Sequence, residues 1–166
     1  MAVTDRNSTF ISNLTASPLV LNPAYSKGAI REVIGTVTPA ADDTAASVHR
    51  FVRVPSNARV SDVLIAAADA TTAGKYDIGV YRTSEDGGAV VDADCFAAAF
   101  DLSGGPFYYS SVLTVSVVTI AESAQMLWQV AGLTEDPGCD FDVAGTIETT
   151  FNGGPTIVGM KVRFVQ

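Results

Sequence analysis

Short segments in which branched apolar residues alternate with polar ones recur along most of this chain. We predict strands at residues 30–37, 48–54, 60–67, 76–82, 95–102, 113–118, 141–149 and 158–164. A period of two places successive side chains on opposite faces of a strand, as a half-buried sheet requires. Turns rich in Gly and Pro separate these segments, and strands that recur about every 8–15 residues are typical of antiparallel folds. The sequence therefore predicts an all-β body, either an antiparallel β-sandwich or a barrel.

Two parts of this pattern support more detailed predictions. On the strand at 48–54, alternation assigns Val48, Arg50, Val52 and Val54 to one face and His49, Phe51 and Arg53 to the other. We expect His49 to be a polar residue on a half-exposed strand. The strands at 60–67 and 76–82 are separated by a Thr-Thr-Ala-Gly turn, and we predict that they pair as a hairpin.

A single helix is predicted between Ile120 and Ala131. Thr119 is a favourable N-cap, and Glu122 follows it at the spacing of a capping box. One helical face collects five apolar residues, namely Ile120, Ala124, Leu127, Trp128 and Ala131. We expect this helix to cover an open end of the body and to bury Trp128 against it.

Residues 1–27 differ in composition from the rest of the chain. They mix Ser, Thr, Asn and Pro with isolated apolar residues, and Pro18 and Pro23 interrupt any regular element. We interpret them as an extended arm, with one short strand at residues 19–21, attached to a sandwich domain at 28–166. The apolar residues that such an arm offers to a partner are Phe10, Ile11, Leu14, Leu19 and Leu21. The alternative is that the arm packs on its own domain.

Charge and composition argue against several classes of function. Ten Lys and Arg against 18 Asp and Glu give a net charge of −8, which is unfavourable for binding nucleic acid phosphates. One His and two Cys leave little for a His/Cys metal site. The longest apolar runs, 63–68 and 95–100, are too short to span a membrane, and the first residues do not resemble a signal peptide. Cys95 and Cys139 are either two buried apolar side chains or one disulfide.

The residues that bear chemistry do not form a recognisable catalytic pattern. His49 is the only histidine, and the chain lacks a nucleophile elbow. Two acidic groups offer carboxylates for a glycosidase or for Ca²⁺: Asp92 with Asp94, and Glu135 with Asp136, Asp140 and Asp142. Solvated turns explain both groups more simply. We predict no catalytic, cofactor or metal site, and no enzyme activity. Tyr108 and Tyr109 are either part of a strand, with one ring inward, or exposed rings able to stack on sugars.

Several stretches resemble small head proteins of tailed bacteriophages, of the decoration or cement kind. They are FVRVPSNARV at 51–60, GKYDIGVY at 74–81, LWQVAGLTEDPG at 127–138 and GMKVRF at 159–164. The resemblance covers about residues 48–166 and excludes the arm. It implies a β-sandwich, often jelly-roll-like, that binds the major capsid protein on the exterior of the virion. It also implies a homo-oligomer, either a dimer or a trimer, made in the host cytoplasm.

Three functions follow as hypotheses. The first is a virion structural protein that binds the outside of a phage capsid and stabilises the coat lattice. The alternative is a tail- or spike-associated module that binds glycans. The third hypothesis, from another class, is a glycosidase that uses one of the acidic pairs.

Overall fold

The body of the chain is a sandwich of two antiparallel sheets. The computed structural model describes residues 28–40, 43–68, 74–103, 106–113, 122–149 and 157–166. Within these ranges there are eight strands, namely β1 (Ile30–Val37), β2 (Val48–Pro55), β3 (Arg59–Ala67), β4 (Lys75–Arg82), β5 (Val90–Asp101), β6 (Phe107–Ser111), β7 (Asp140–Thr149) and β8 (Val158–Val165). The helix α1 (Leu127–Val130) is a single turn, and 3-10 turns occur at Ser84–Asp86 and Glu122–Ala124.

The order of the strands is that of a jelly roll. The first sheet has the order β1-β8-β3-β6 and the second sheet has the order β2-β7-β4-β5. Consecutive strands alternate between the two sheets except for β4 and β5, which are neighbours in the second sheet. This is the arrangement of an eight-stranded, double-sheet jelly roll. The prediction of an all-β antiparallel sandwich is confirmed, and the barrel alternative is not.

The predicted hairpin between residues 60–67 and 76–82 is wrong. These residues belong to β3 and β4, which lie in opposite sheets. β3 pairs with β6 and β8, whereas β4 pairs with β5 and β7. The reason is that alternation defines which face of a strand is buried but not which strand lies beside it.

Two strand boundaries also differ from the sequence prediction. β5 begins at Val90, five residues before the predicted start at Cys95. β6 occupies Phe107–Ser111, outside the eight strands predicted from the sequence. Of the predicted strand at 113–118, residue 113 lies outside a strand and residues 114–118 lie outside the described residues. Tyr108 and Tyr109 therefore belong to a strand, although neither ring points into the core.

The core lies between the two inner faces. On β8 it contains Val158, Met160, Val162 and Phe164, each at most 4% exposed, as the alternation predicted. Facing side chains from the second sheet include Tyr76, Ile78, Phe141 and Ile147, which are also buried. Both sheets therefore contribute one apolar face to a single core.

A β-bulge on β2 reverses the predicted environment of His49. The register of β2 against β7 shifts between Arg50 and Val52, so that Phe51 is an extra residue. His49, Val52 and Val54 consequently share the inner face, and His49 is only 8% exposed. The prediction that His49 shares a face with Arg53 was wrong because strict alternation cannot anticipate an inserted residue.

The predicted helix is much shorter than residues 120–131. Among the described residues, a 3-10 turn ends at Ala124 and α1 begins after Met126, which is extended. The backbone N–H groups of Leu127 and Trp128 donate to the carbonyls of Ala58 and Ser56, which anchors the turn of helix to the β2–β3 connection. Leu127 is fully buried, whereas Trp128 is only partly buried against the core. The predicted N-cap, Thr119, and Ile120 lie outside the described residues.

Replacing Leu127 with alanine is expected to lower the free energy of unfolding by about 2–5 kcal/mol, because it leaves a cavity under α1. The exposed neighbour Gln129 is the control. Its side chain accepts a hydrogen bond from the Met126 N–H at 2.9 Å, so Gln129→Ala should cost about 1 kcal/mol or less. Urea denaturation followed by Trp128 fluorescence measures both. Equal effects of the two substitutions would show that α1 is not packed on the core.

Candidate functional site

The residues predicted from sequence to contact a partner cannot be placed. Phe10, Ile11, Leu14, Leu19 and Leu21 all lie outside the described residues, and they remain a prediction. Among the described residues, the candidate interaction surfaces are the outer faces of the sandwich. The outer faces of its two sheets differ sharply.

The outer face of the first sheet, here called the open face, carries exposed apolar side chains. It is formed by Ile30, Glu32, Ile34, Asp62, Leu64, Tyr108, Tyr109, Lys161 and Arg163. β1 is an edge strand whose register against β8 is regular over eight residue pairs. Ile30 is 74% exposed, Ile34 is 55% exposed and Tyr108 is 86% exposed. Ile30 and Ile34 lie on one edge strand of this face and Tyr108 lies on the other, so a partner that covers the face would contact all three.

The charged residues at the centre of the open face are paired with one another. Arg163 Nε donates to Glu32 Oε2 at 2.8 Å, and Lys161 Nζ lies 3.4 Å from Glu32 Oε1. Arg163 also lies 3.8 Å from Asp62. The hydrogen bond from Arg163 lowers the pKa of Glu32, with a smaller contribution from Lys161. Two acids and two bases therefore cancel at the centre of this face.

Tyr108 and Tyr109 lie at a bulge in the edge strand β6. The register of β3 against β6 shifts between Ile65 and Ala67, and Tyr109 has a φ of 47°. A left-handed conformation is unfavourable for a bulky side chain. It brings the Tyr109 ring to 4.3 Å from Lys161 Nζ, while the Tyr108 ring packs edge-on against Tyr109 at 4.9 Å. The bulge thus presents Tyr108 to solvent.

The outer face of the second sheet, here called the covered face, is occupied by the chain itself. The bulged segment of β5 at Asp92 and Ala93 lies directly over Gly79 on β4. Arg50 spans the same face and donates to the carbonyls of Arg82 and Gly88, both at 2.8 Å. As a result Ala144, on the central strand β7, is 0% exposed.

The carboxylate of Asp142 is also enclosed on the covered face. Arg53 Nε donates to Asp142 Oδ1 at 2.8 Å, and Arg50 Nη1 donates to Oδ2 at 3.1 Å. Arg53 extends the network to Glu85 at 3.0 Å. The hydrogen bond between the Glu85 carboxylate and its own backbone, together with the hydrogen bond from Arg53, lowers the pKa of Glu85 to about 2. This ion-pair network ties β2, β7 and the β4–β5 turn together.

His49 bridges two partners inside the sandwich. Its Nδ1 lies 2.5 Å from the Tyr76 hydroxyl, and its Nε2 lies 2.9 Å from Asp43 Oδ2. The Ala40 backbone N–H and then His49 lower the pKa of Asp43, so this carboxylate is ionised near neutrality and can only accept. An imidazole that donates from Nε2 to Asp43 and has no proton on Nδ1 accepts a hydrogen bond from the Tyr76 hydroxyl. Burial raises the pKa of Tyr76.

The acidic groups noted in the sequence do not act together. A hydrogen bond with Asp92 raises the pKa of Asp94 in the β5 bulge. Asp136 accepts from the Ser56 hydroxyl at 2.5 Å and from Gly138 N–H at 2.9 Å, and Asp142 is held by arginines. Within the described ranges, no group of three or more His, Cys, Asp or Glu side chains could hold a metal ion.

Cys95 and Cys139 are both free thiols, so the disulfide alternative is not realised. Burial raises the pKa of the Cys95 thiol. Cys139 is half-buried and accepts from Arg82 Nη1 at 2.9 Å. It also lines a surface cavity of about 360 Å³, together with Ser56, Asn57 and Gln166. In the part of the chain that the structure describes, no helix is long and apolar enough to cross a membrane.

The fold is shared with a phage protein of known structure. A chain of the cyanophage Pam1 capsid asymmetric unit superposes with a TM-score of 0.54 over 83% of this chain and 85% of that chain, at 16% sequence identity. No protein-family model matches the sequence. No curated protein matches it significantly. At this identity, the structural similarity establishes a common fold.

Proposed function

We propose that this chain is a virion structural protein that binds the outside of a phage capsid and stabilises the coat lattice. The observation that carries the proposal is the extensive fold similarity to a chain of a cyanophage capsid asymmetric unit. The sequence resemblance to decoration proteins, over residues 48–166, points in the same direction. In this proposal the partner is the major capsid protein, the chain acts as a homo-oligomer, and no catalysis is involved.

The proposed mechanism is stabilisation by mass action. A protein that binds the assembled lattice but not the dissociated coat subunits lowers the free energy of the assembled state. At a free concentration of 100 times Kd, the gain is about 2.7 kcal/mol for each site. Because a capsid repeats the site many times, even modest affinity has a large total effect.

The test uses heads assembled without this protein. We expect the purified chain to co-sediment with these heads and to raise the temperature at which they disassemble, in proportion to occupancy. Dissociated coat subunits are the control and should bind much more weakly. Failure to co-sediment with intact heads would contradict the proposal.

A variant that begins at Gly28 tests the role of the arm. The eight strands that the structure describes all lie after residue 28 and form the sandwich, so we expect this variant to melt cooperatively. We expect its binding to heads to be weaker, because it lacks Phe10, Ile11, Leu14, Leu19 and Leu21. Full binding would place the contacts on the sandwich alone, and loss of folding would show that the arm is part of the core.

A glycan-binding module of a tail or spike is the second candidate. Tyr108 is the observation that favours it, since an 86% exposed ring can stack on a sugar. A glycan array with the wild type and Tyr108→Ala separates the two functions, because sugar binding through this ring should disappear in the variant.

A further inference from the structure

We infer that the chain contacts the coat protein through its open face, and that the coat surface seated there is apolar and carries little charge. This inference rests on the proposed function, and it assigns a surface within it. The evidence is the difference between the two outer faces of the sandwich.

The covered face has little to offer a partner. β5 overlies Gly79, Arg50 is bonded to two carbonyls of its own chain, and Asp142 is 6% exposed between two arginines. A partner would have to displace these hydrogen bonds and ion pairs before it reached the sheet. Breaking a largely buried charged pair is costly, because each charge then needs another partner.

The open face requires no such displacement. Its two most exposed apolar side chains, Ile30 and Tyr108, are 74% and 86% exposed, and Ile34 adds a third contact on the same edge strand as Ile30. Covering them removes apolar area from water, which favours association. Tyr108 lies on the edge strand β6, and tyrosine is enriched among the residues that contribute most to the binding energy of interfaces.

The charges of the open face define the chemistry of its partner. Glu32, Lys161 and Arg163 pair with one another, and Lys161 is further enclosed by the Tyr109 ring, with its side chain only 15% exposed. A strongly charged partner would gain little from charges that are already satisfied. An apolar protein surface of low charge therefore fits this face better than a nucleic acid or an anionic glycan.

The size of the face implies multivalent binding. Four strands about 4.8 Å apart, three of them eight or nine residues long and β6 five, cover roughly 500 Å². A standard interface buries about 800 Å² on each partner, so a single copy would bind weakly. Several linked copies on a repeating lattice compensate through their high effective concentration. A homo-oligomer, as proposed above, would link such copies.

The experiment compares variants of the two faces in binding to heads that lack the protein. Ile34→Glu and Tyr108→Ala alter the open face at positions that are mostly solvent-exposed, so both should melt like the wild type. We expect each to weaken head binding by about tenfold or more. Val90→Glu is the matched control, because Val90 is 57% exposed, lies on β5 and receives the same charge. It should bind like the wild type, and wild-type binding should persist at high salt.

The outcomes separate this inference from the function it rests on. If the wild type binds heads and all three variants bind equally well, the open face is not the contact and only the inference is overturned. If the wild type itself does not bind, the proposed function fails and the inference fails with it. If Ile34→Glu instead changes the mass of the native oligomer, the open face joins copies of this chain. If Tyr108→Ala loses only glycan binding, the open face binds sugars. Either result would overturn the assignment to the coat protein.

Discussion

Replacing Gly79 with alanine is expected to destabilise the protein by about 3 kcal/mol or more. A Cβ atom at this position would overlap the carbonyl oxygen of Asp92 and the backbone of Ala93. These are main-chain atoms of the β5 bulge, so no change of side-chain rotamer can relieve the overlap. β5 must move away from β4, and the hydrogen bonds between the two strands must be disturbed.

Gly87→Ala is the control for this substitution. Gly87 has a φ of 83°, and a Cβ there would meet no atom within 4 Å. The only penalty is the left-handed backbone, which costs a non-glycine residue about 1–2 kcal/mol. Urea denaturation of both variants gives the comparison. If Gly79→Ala is no more destabilising than Gly87→Ala, then β5 does not lie over β4 as described.

Replacing His49 with alanine is expected to cost about 2–4 kcal/mol of folding stability. The change removes a buried ring and two hydrogen bonds, to Tyr76 and to Asp43. The bridge is possible because Tyr76 on β4 reaches across β7 over Gly145, where a Cβ would lie 3.0 Å from the Tyr76 ring. Val48→Ala is the control. Val48 is the outward-facing neighbour of His49 and is 37% exposed, so its replacement should lower the folding stability by about 1 kcal/mol or less.

A double-mutant cycle isolates the hydrogen bond between His49 and Tyr76. Tyr76→Phe removes the hydroxyl and keeps the ring. Since the two side chains touch, their effects should not add, and we expect a coupling free energy of about 0.5–3 kcal/mol. Additive effects would mean that the two groups do not interact in the folded protein.

The sequence anticipated the strands whose patterns are local. The alternation of β8 correctly assigned Val158, Met160, Val162 and Phe164 to the core, and β1 was predicted with both of its ends correct. Alternation is reliable there because a slip of one residue would expose every apolar side chain of the strand. The helix at 120–131 was overestimated because its apolar spacing also suits a short turn docked on a β-sandwich.

The open face shows the limit of that reasoning. The sequence indicated Tyr108 and Tyr109 as aromatic residues able to contact a ligand, but it indicated Ile30 and Ile34 only as residues of a strand. Their sharing of a surface with Lys161 depends on the pairing of β1 with β8, across more than a hundred residues of sequence. The clue in the sequence was that alternation places Ile30 and Ile34 on the same face of a predicted strand as the charged Glu32.

By itself, the sequence determined an antiparallel β body with one apolar face on each strand, because side-chain alternation is a local property of the backbone. The tertiary structure alone decided which strands are neighbours, where bulges insert a residue and which outer face stays uncovered. The bulge at Phe51 brings His49 inside, and the bulge of β5 covers one sheet while the other remains open. These features depend on contacts between strands that are distant in sequence, and no local pattern specifies such contacts.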